Sequence, residues 1–247
     1  MKLLALESSG LVASVAVVED DSLIGEYTVN YKKTHSQTLL PMLDALAAMI
    51  ELDLKTLDAI AVAKGPGSFT GLRIGSATAK GLGLALDVPL VEVPTVDALA
   101  CNLWGASGVV VPLMDARRSQ TYTGIYAFEG GNMQVLVPQC AVPVAEIVEK
   151  INTLGRAVTF LGDGVPVFRE YLEESVRVPF LFAPAHLNRQ RAGAVATLAC
   201  EYMKKGLTVR AEAHRPEYLR LSQAERERQA ANGGQDGAGL LPGDAGA

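Results

Sequence analysis

The sequence is poor in the residues that most directly advertise chemistry. Three cysteines occur in 247 residues. Cys101, Cys140 and Cys200 are odd in number and far apart, so neither a disulfide framework nor a paired-cysteine zinc site is expected, and they read as buried apolar thiols. Histidine is equally scarce, at His35, His186 and His214. Leu39 stands one helical turn after His35, where a metal-binding pair would need its second imidazole. There is no Gly-x-Ser-x-Gly nucleophile elbow and no P-loop. No apolar run approaches a membrane span, and the opening Met-Lys-Leu-Leu-Ala-Leu meets Glu7 too early for a secretion signal, so the expected compartment is the cytoplasm. Positive charge is also short: 22 Lys plus Arg against 27 Asp plus Glu leave a formal charge of -5. Basic clusters are short and scattered, as at Lys32-Lys33, Arg117-Arg118 and Arg189 with Arg191. That argues against a stand-alone nucleic-acid binder, and any role on RNA would need a partner.

What is present is an ordinary globular balance, 49% hydrophobic and 20% charged, enough to build a core. Leu3 to Leu6 and Leu11 to Val18 read as strands around a Glu7-Ser8-Ser9-Gly10 turn, with a third strand near Leu23 to Tyr31. Leu39, Leu40, Leu43, Leu46, Ala47, Ile50 and Leu54 recur at helical spacing behind Ser36, a candidate N-cap. Ala59 to Ala63 (strand), Gly71 to Leu86 (helix), Leu90 to Val93 (strand) and Thr95 to Leu103 (helix) follow, and this alternation predicts a mixed α/β architecture. Gly105 to Gly108 is the expected boundary, giving units 1–104 and 105–220. Beyond it the opening theme returns: Val109 to Met114 is apolar, Asp115-Ala116-Arg117-Arg118 makes a polar corner, and Gln120 to Phe128 alternates. Glu7 and Asp115 thus each close a first strand, as two ordinary hairpins or as traces of a duplication. Met133 to Val137, Val144 to Ile151, Ala157 to Leu161, Val165 to Leu172 and Arg191 to Lys204 read as strand, helix, strand, helix and helix. Residues 232–247, with six glycines in sixteen positions, read as a flexible tail.

The densest local signal is Lys64-Gly65-Pro66-Gly67-Ser68-Phe69-Thr70-Gly71-Leu72-Arg73-Ile74-Gly75, between a buried strand and a helix. Gly65, Gly67, Ser68 and Thr70 can present backbone N–H groups to an anion or nucleotide, or can simply make a tight turn in which Ser68 or Thr70 caps the helix. Within that helix Gly71, Gly75, Ala79 and Gly83 recur every four residues. This bare stripe either packs on the chain's own sheet or lets a second subunit approach. Glu7 and Asp115 are turn formers or, alternatively, carboxylates facing one another across a cleft.

The chain resembles the TsaB family, also called YeaZ. The likeness is carried by Leu4-Ala5-Leu6-Glu7-Ser8-Ser9, by His35-Ser36-Gln37 with Leu40-Pro41, and above all by the run from Gly65 to Gly75. Ala79-Lys80-Gly81-Leu82, Asp115-Ala116-Arg117 and Pro216-Glu217-Tyr218-Leu219-Arg220 add to it. The resemblance implies the actin-like ATPase (ASKHA) fold, two ribonuclease-H-like subdomains, with the chain returning to the first near Pro216. It implies a non-catalytic scaffold and activator of the complex that installs threonylcarbamoyl on adenosine 37 of tRNAs reading codons that start with adenine, with TsaD and TsaE as partners. The resemblance leaves both a homodimer and a monomer open for the isolated chain, and implies tRNA contact only through the complex. Neither a metal nor a strongly bound cofactor is implied, because Leu39 replaces the second histidine of the TsaD site; ATP is used by the complex. The contact surface implied comprises His35, Leu39, Met42, Leu46, Met49, Gly71, Gly75, Ala79 and Gly83. The rival expectation is an active small-molecule kinase or ATPase of the same fold, with Glu7 and Asp115 around magnesium and phosphate.

Overall fold

The computed structural model describes residues 1–31 and 34–220; the basic pair Lys32-Lys33 and the glycine-rich tail lie outside the described residues. The first half contains β1 (Lys2–Glu7), β2 (Ala13–Glu19), β3 (Ser22–Val29), α1 (His35–Met49), β4 (Ala59–Gly65), α2 (Phe69–Leu86), β5 (Leu90–Pro94) and α3 (Thr95–Cys101). The second contains β6 (Val109–Asp115), β7 (Gln120–Glu129), β8 (Asn132–Pro143), α4 (Val144–Leu154), β9 (Val158–Leu161), α5 (Val165–Ser175), β10 (Phe180–Phe182) and α6 (Ala192–Lys204). The sheets run β3-β2-β1-β4-β5 and β8-β7-β6-β9-β10. In each, three strands form an antiparallel meander and the last two are parallel to the first. The same topology thus occurs twice, and the repeated strand, acid and turn is one of its traces. This is the actin-like arrangement of two mixed sheets.

The central strands of the first sheet are covered on both faces, so their alternation is one of size rather than polarity. On β4, Ala59, Ala61 and Ala63 join Ala5 and Ala16 on the face covered by Ala192, Ala196 and Ala199 of α6. Ile60 and Val62 join Leu4, Leu6 and Val15 on the other face, under Leu39, Met42, Leu43 and Leu46 of α1 and Ala79 of α2. Small residues on both sides let α6 approach the sheet closely. The second sheet is filled by Val111, Leu113 and Phe160 against α4 and α5. Its inner face packs Val110, Met114 and Tyr126 against Val96 and Leu99 of α3.

Two helices cross the expected boundary between the halves, although each sheet stays on its own side of it. Helix α3, in the 1–104 unit, packs between the sheets, with Val96 and Leu99 against the second and Ala98 and Cys101 against the first, while α6, in the 105–220 unit, already lies on the first. The return therefore happens at Arg191, well before Pro216. Its fastening is electrostatic: Glu26 of β3, nearly buried, pairs with Arg191 and accepts Gly193 N–H at 3.1 Å, while Ser14 Oγ accepts Ala192 N–H at 2.9 Å. These groups satisfy the open N-terminus of α6 and place a carboxylate where the helix dipole favours it.

Smaller differences have local causes. Helix α1 begins at His35 with Thr34, not Ser36, at the N-cap, and stops at Met49; Leu54–Thr56 is a separate 3-10 turn. Strand β8 continues to Pro143, and three-residue β10 is additional.

Candidate functional site

The Gly65–Gly75 turn sits where β4 ends and α2 begins. Ser68 is the N-cap, its Oγ accepting Gly71 N–H at 3.3 Å. The glycines of this turn make room for the chain itself. A side chain on Gly67 or Gly71 would run into the carbonyls of Ser9 and Ser8, and one on Gly75 into Ser8 Oγ. Ser68 N–H donates to Ser9 O at 2.6 Å, and Ser8 Oγ donates to Gly71 O at 2.9 Å. The β1–β2 turn is thus pressed onto the first turns of α2. Gly65, at φ 120°, lies under the carbonyl of Glu217. Of the four proposed anion contacts, Gly67 and Ser68 border the cleft between the halves, Thr70 faces an outer groove, and Gly65 is covered.

That packing seals Glu7. Its carboxyl is fully buried, and Oε1 accepts Ser9 N–H at 2.6 Å and Ser9 O–H at 2.5 Å, while Oε2 has no partner among the described residues. Burial pushes its pKa up to about 7 against the opposing pull of the two Ser9 hydrogen bonds. Asp115, at the same place in the second half, makes the same two-residue turn by accepting Arg117 N–H at 2.8 Å, but it borders the cleft and also pairs with Arg117 Nη1 at 3.0 Å. The two acids therefore do not form an open pair across the cleft, whose volume is about 390 Å³. Asp163, also on its wall, has its pKa raised by burial. No group of three His, Cys, Asp or Glu is placed to hold a metal among the described residues. His35 Nε2 donates to Gly10 O at 2.8 Å, fixing the start of α1 to the same turn. The cysteines are free thiols, and burial raises the pKa of Cys101 to about 12.

The expected contact surface needs correction. Leu39, Met42, Leu46, Gly71, Gly75, Ala79 and Gly83 are all buried within the chain. Gly83 meets Leu90 and Ala211, and the bare stripe is the seat for Ser8 and the sheet. His35 is half-buried, and only Met49 of that set is open, at 82%. The outward faces carry different residues. On α2 these are Arg73, Ala77, Gly81, Leu84 and Ala85, with Ile74 beside them; on α1 they are Leu40 and Met49 together with Ser36, Gln37, Pro41, Asp44, Ala45 and Ala48. A side chain on Gly81 would meet nothing within 4 Å. Leu11, Tyr31 and Ile74 border an adjoining apolar groove at the N-terminal ends of both helices.

A further cluster had no signal in the sequence. His214 is fully buried, with Nδ1 2.7 Å from Glu92 Oε1 and Nε2 2.8 Å from Ser76 Oγ. The His214 hydrogen bond holds the Glu92 pKa below its usual range. Serine, histidine and acid here do not make a hydrolytic triad, because Ser76 is buried inside α2. They clamp a C-terminal strap, in which Val209 pairs with Leu90, Lys80 Nζ donates to the carbonyls of Glu212 and His214, and Glu217 N–H donates to Lys64 O at 2.7 Å.

Among known proteins, the profile of the family TsaD, tRNA N6-adenosine threonylcarbamoyltransferase, matches residues 22–228. The tRNA threonylcarbamoyladenosine biosynthesis protein TsaB of Bacillus subtilis is 34% identical over 91% of this chain and 96% of its own. The chain belongs to the TsaB family. The Escherichia coli member is 29% identical over 89% of this chain and 95% of its own. The solved structure of YeaZ from Pseudomonas aeruginosa superposes with a TM-score of 0.73 at 28% identity, covering 88% of this chain and 99% of that one. Membership in the family places the chain among proteins of threonylcarbamoyladenosine biosynthesis. No helix among the described residues is long and apolar enough to cross a membrane.

Proposed function

We propose that this chain is a non-catalytic scaffold and activator, in the cytoplasm, of the assembly that puts threonylcarbamoyl on adenosine 37 of tRNAs reading codons that start with adenine. Its partners are TsaD, which carries the chemistry, and TsaE. The observation that carries this reading is the closure of the candidate catalytic turn. The glycines that would admit a phosphate hold Ser8 and Ser9 instead, and Glu7, the acid a kinase would aim at magnesium, is sealed beneath them. With Leu39 buried where a second ligand histidine would stand, the donor set for a metal is incomplete. ATP is consumed by the assembly, and this chain holds no cofactor strongly.

Partner binding is assigned to the outward faces of α1 and α2. Leu40 and Leu84 are each 53% exposed and Met49 more so. Between Arg73 and Asp87 the outer face of α2 has only small or apolar residues, Ala77, Gly81, Leu84 and Ala85, which admit a second helix at close range. Reconstitution tests the reading. The purified chain with ATP and magnesium should show almost no turnover, and adding it to TsaD, TsaE and threonylcarbamoyl-adenylate should switch on tRNA modification. Turnover by the lone chain, or modification that proceeds without it, would overturn the assignment.

A further inference from the structure

The β6–β7 corner is held in an unusual shape. Arg117, Arg118 and Ser119 stand consecutively in the left-handed region, at φ 64°, 56° and 57°. For residues with a side chain this costs roughly 1–2 kcal/mol each, so the surroundings must enforce it. They do: Ala116 N–H donates to Gln120 O at 3.0 Å, Gln120 N–H to Arg117 O at 3.2 Å and Val144 N–H to Ser119 O at 3.3 Å. Arg220, from the strap, donates to Ala116 O. The outcome is a hydrogen-bonded tip on which Arg117 and Arg118 are both exposed, Arg117 in an ion pair with Asp115 at 3.0 Å. Arg118 has no side-chain partner among the described residues.

Beside this tip, at the same cleft mouth, lies an aromatic platform of two rings tilted by 35°. Phe69 and Tyr218 pack with ring centroids 5.0 Å apart, and both border the cleft with Arg117 and Arg220. The Arg73 guanidinium lies over the Phe69 ring, 4.0 Å from its centroid. Within the cleft lining Arg117 and Arg220 balance Asp115 and Asp163; Arg118, next to Arg117 on the exposed tip, and Arg73, over the Phe69 ring, add two further guanidinium groups beside it, while Lys64 and Glu217 cancel as an ion pair. A local positive excess in a chain of net charge -5 is a focused one.

We propose that this mouth docks the sugar-phosphate backbone of single-stranded RNA, with Arg117 and Arg118 on phosphates and the Arg73–Phe69–Tyr218 platform against a base. Arginine forks fit phosphate oxygens, and rings and guanidinium planes stack on unpaired bases. An acidic protein segment would use the arginines but not the platform. The inference rests on the reading above, since a tRNA-modifying assembly must hold an anticodon loop.

The test uses the full chain and its assembly with TsaD, with a labelled anticodon stem-loop followed by anisotropy across a salt series. Arg117→Asn with Arg118→Asn keeps residues that accept left-handed backbone, and Arg73→Gln, on a regular helix, is an independent second variant. The paired change should weaken RNA binding about tenfold at low salt and flatten the slope of log K against log salt by about 0.7 per lost phosphate contact. Affinity and slope equal to wild type in both variants, or no RNA binding by the wild-type chain or assembly, would overturn the proposal. Full competition by AMP would assign the site to free nucleotides, and loss of TsaD recovery with RNA binding intact would assign it to protein; either overturns it too. Wild-type chain that fails to switch on modification defeats the functional reading itself. Modification intact with RNA binding unaffected by the variants defeats only this inference.

Discussion

The β1–β2 turn and the β6–β7 corner occupy equivalent places in the two halves, and each is built on an acid that accepts the backbone N–H two residues on. One is sealed and the other open. In the first half, the N-terminal turns of α2 reach the hairpin because Gly67, Gly71 and Gly75 remove every side chain in the way. The second-half corner instead stays at the cleft mouth with its arginines exposed. One topology therefore carries two electrostatic environments, and what separates them is whether a neighbouring helix can come close.

The most disruptive way to break the comparison is to restore a side chain in the seal. Gly75→Leu drives a branched side chain into Ser8, a contact backed by the sheet, and should cost about 3 kcal/mol or more. Urea unfolding of the variant should show a much lower midpoint or no folded protein. A midpoint near wild type would mean that the seal is loose.

Protonation gives the next largest effect. Glu7 has a folded pKa of about 7, above the ordinary carboxylate value, so the folded chain binds more protons than the unfolded one between roughly pH 4.5 and 7. Stability contributed by Glu7 is thus present below its unfolded pKa and is lost as pH rises through 7, by up to about 3 kcal/mol. Glu7→Gln should remove most of that decline when urea midpoints are compared at pH 5 and pH 8. A parallel decline in the variant would place its origin elsewhere. The smallest effect belongs to the open side: Asp115→Asn loses an ion pair with an Arg117 that is 82% exposed, and should shift stability by less than about 1 kcal/mol. A larger loss would show that the corner is as constrained by charge as the sealed turn.

Much of this was legible in the sequence because it is written in local patterns. The alternation of β4, the Ser68 cap and the repeated strand-acid-turn opening all depend on residues within a few positions of one another. The direction of the α2 stripe was not. Spacing shows that Gly71, Gly75, Ala79 and Gly83 share a face, but not whether Ser8 or another subunit fills it, because Ser8 is 63 residues from Gly71. The same limit hid the early crossing, where Glu26 meets Arg191 across 165 residues. It also hid the clamp joining Ser76 to His214 across 138. Strand β10 escaped because three residues carry too little period to stand out.

The central claim is that this chain works by docking another subunit on the outer faces of α1 and α2, while the small stripe on the inner face of α2 serves its own fold. Co-purification of TsaD with the Gly81→Leu variant tests it most directly, since Gly81 opens into free space and leucine is a better helix former than glycine. The account predicts a chain that is folded and at least as stable as wild type yet recovers little or no TsaD. A folded variant that recovers TsaD as well as wild type would contradict it.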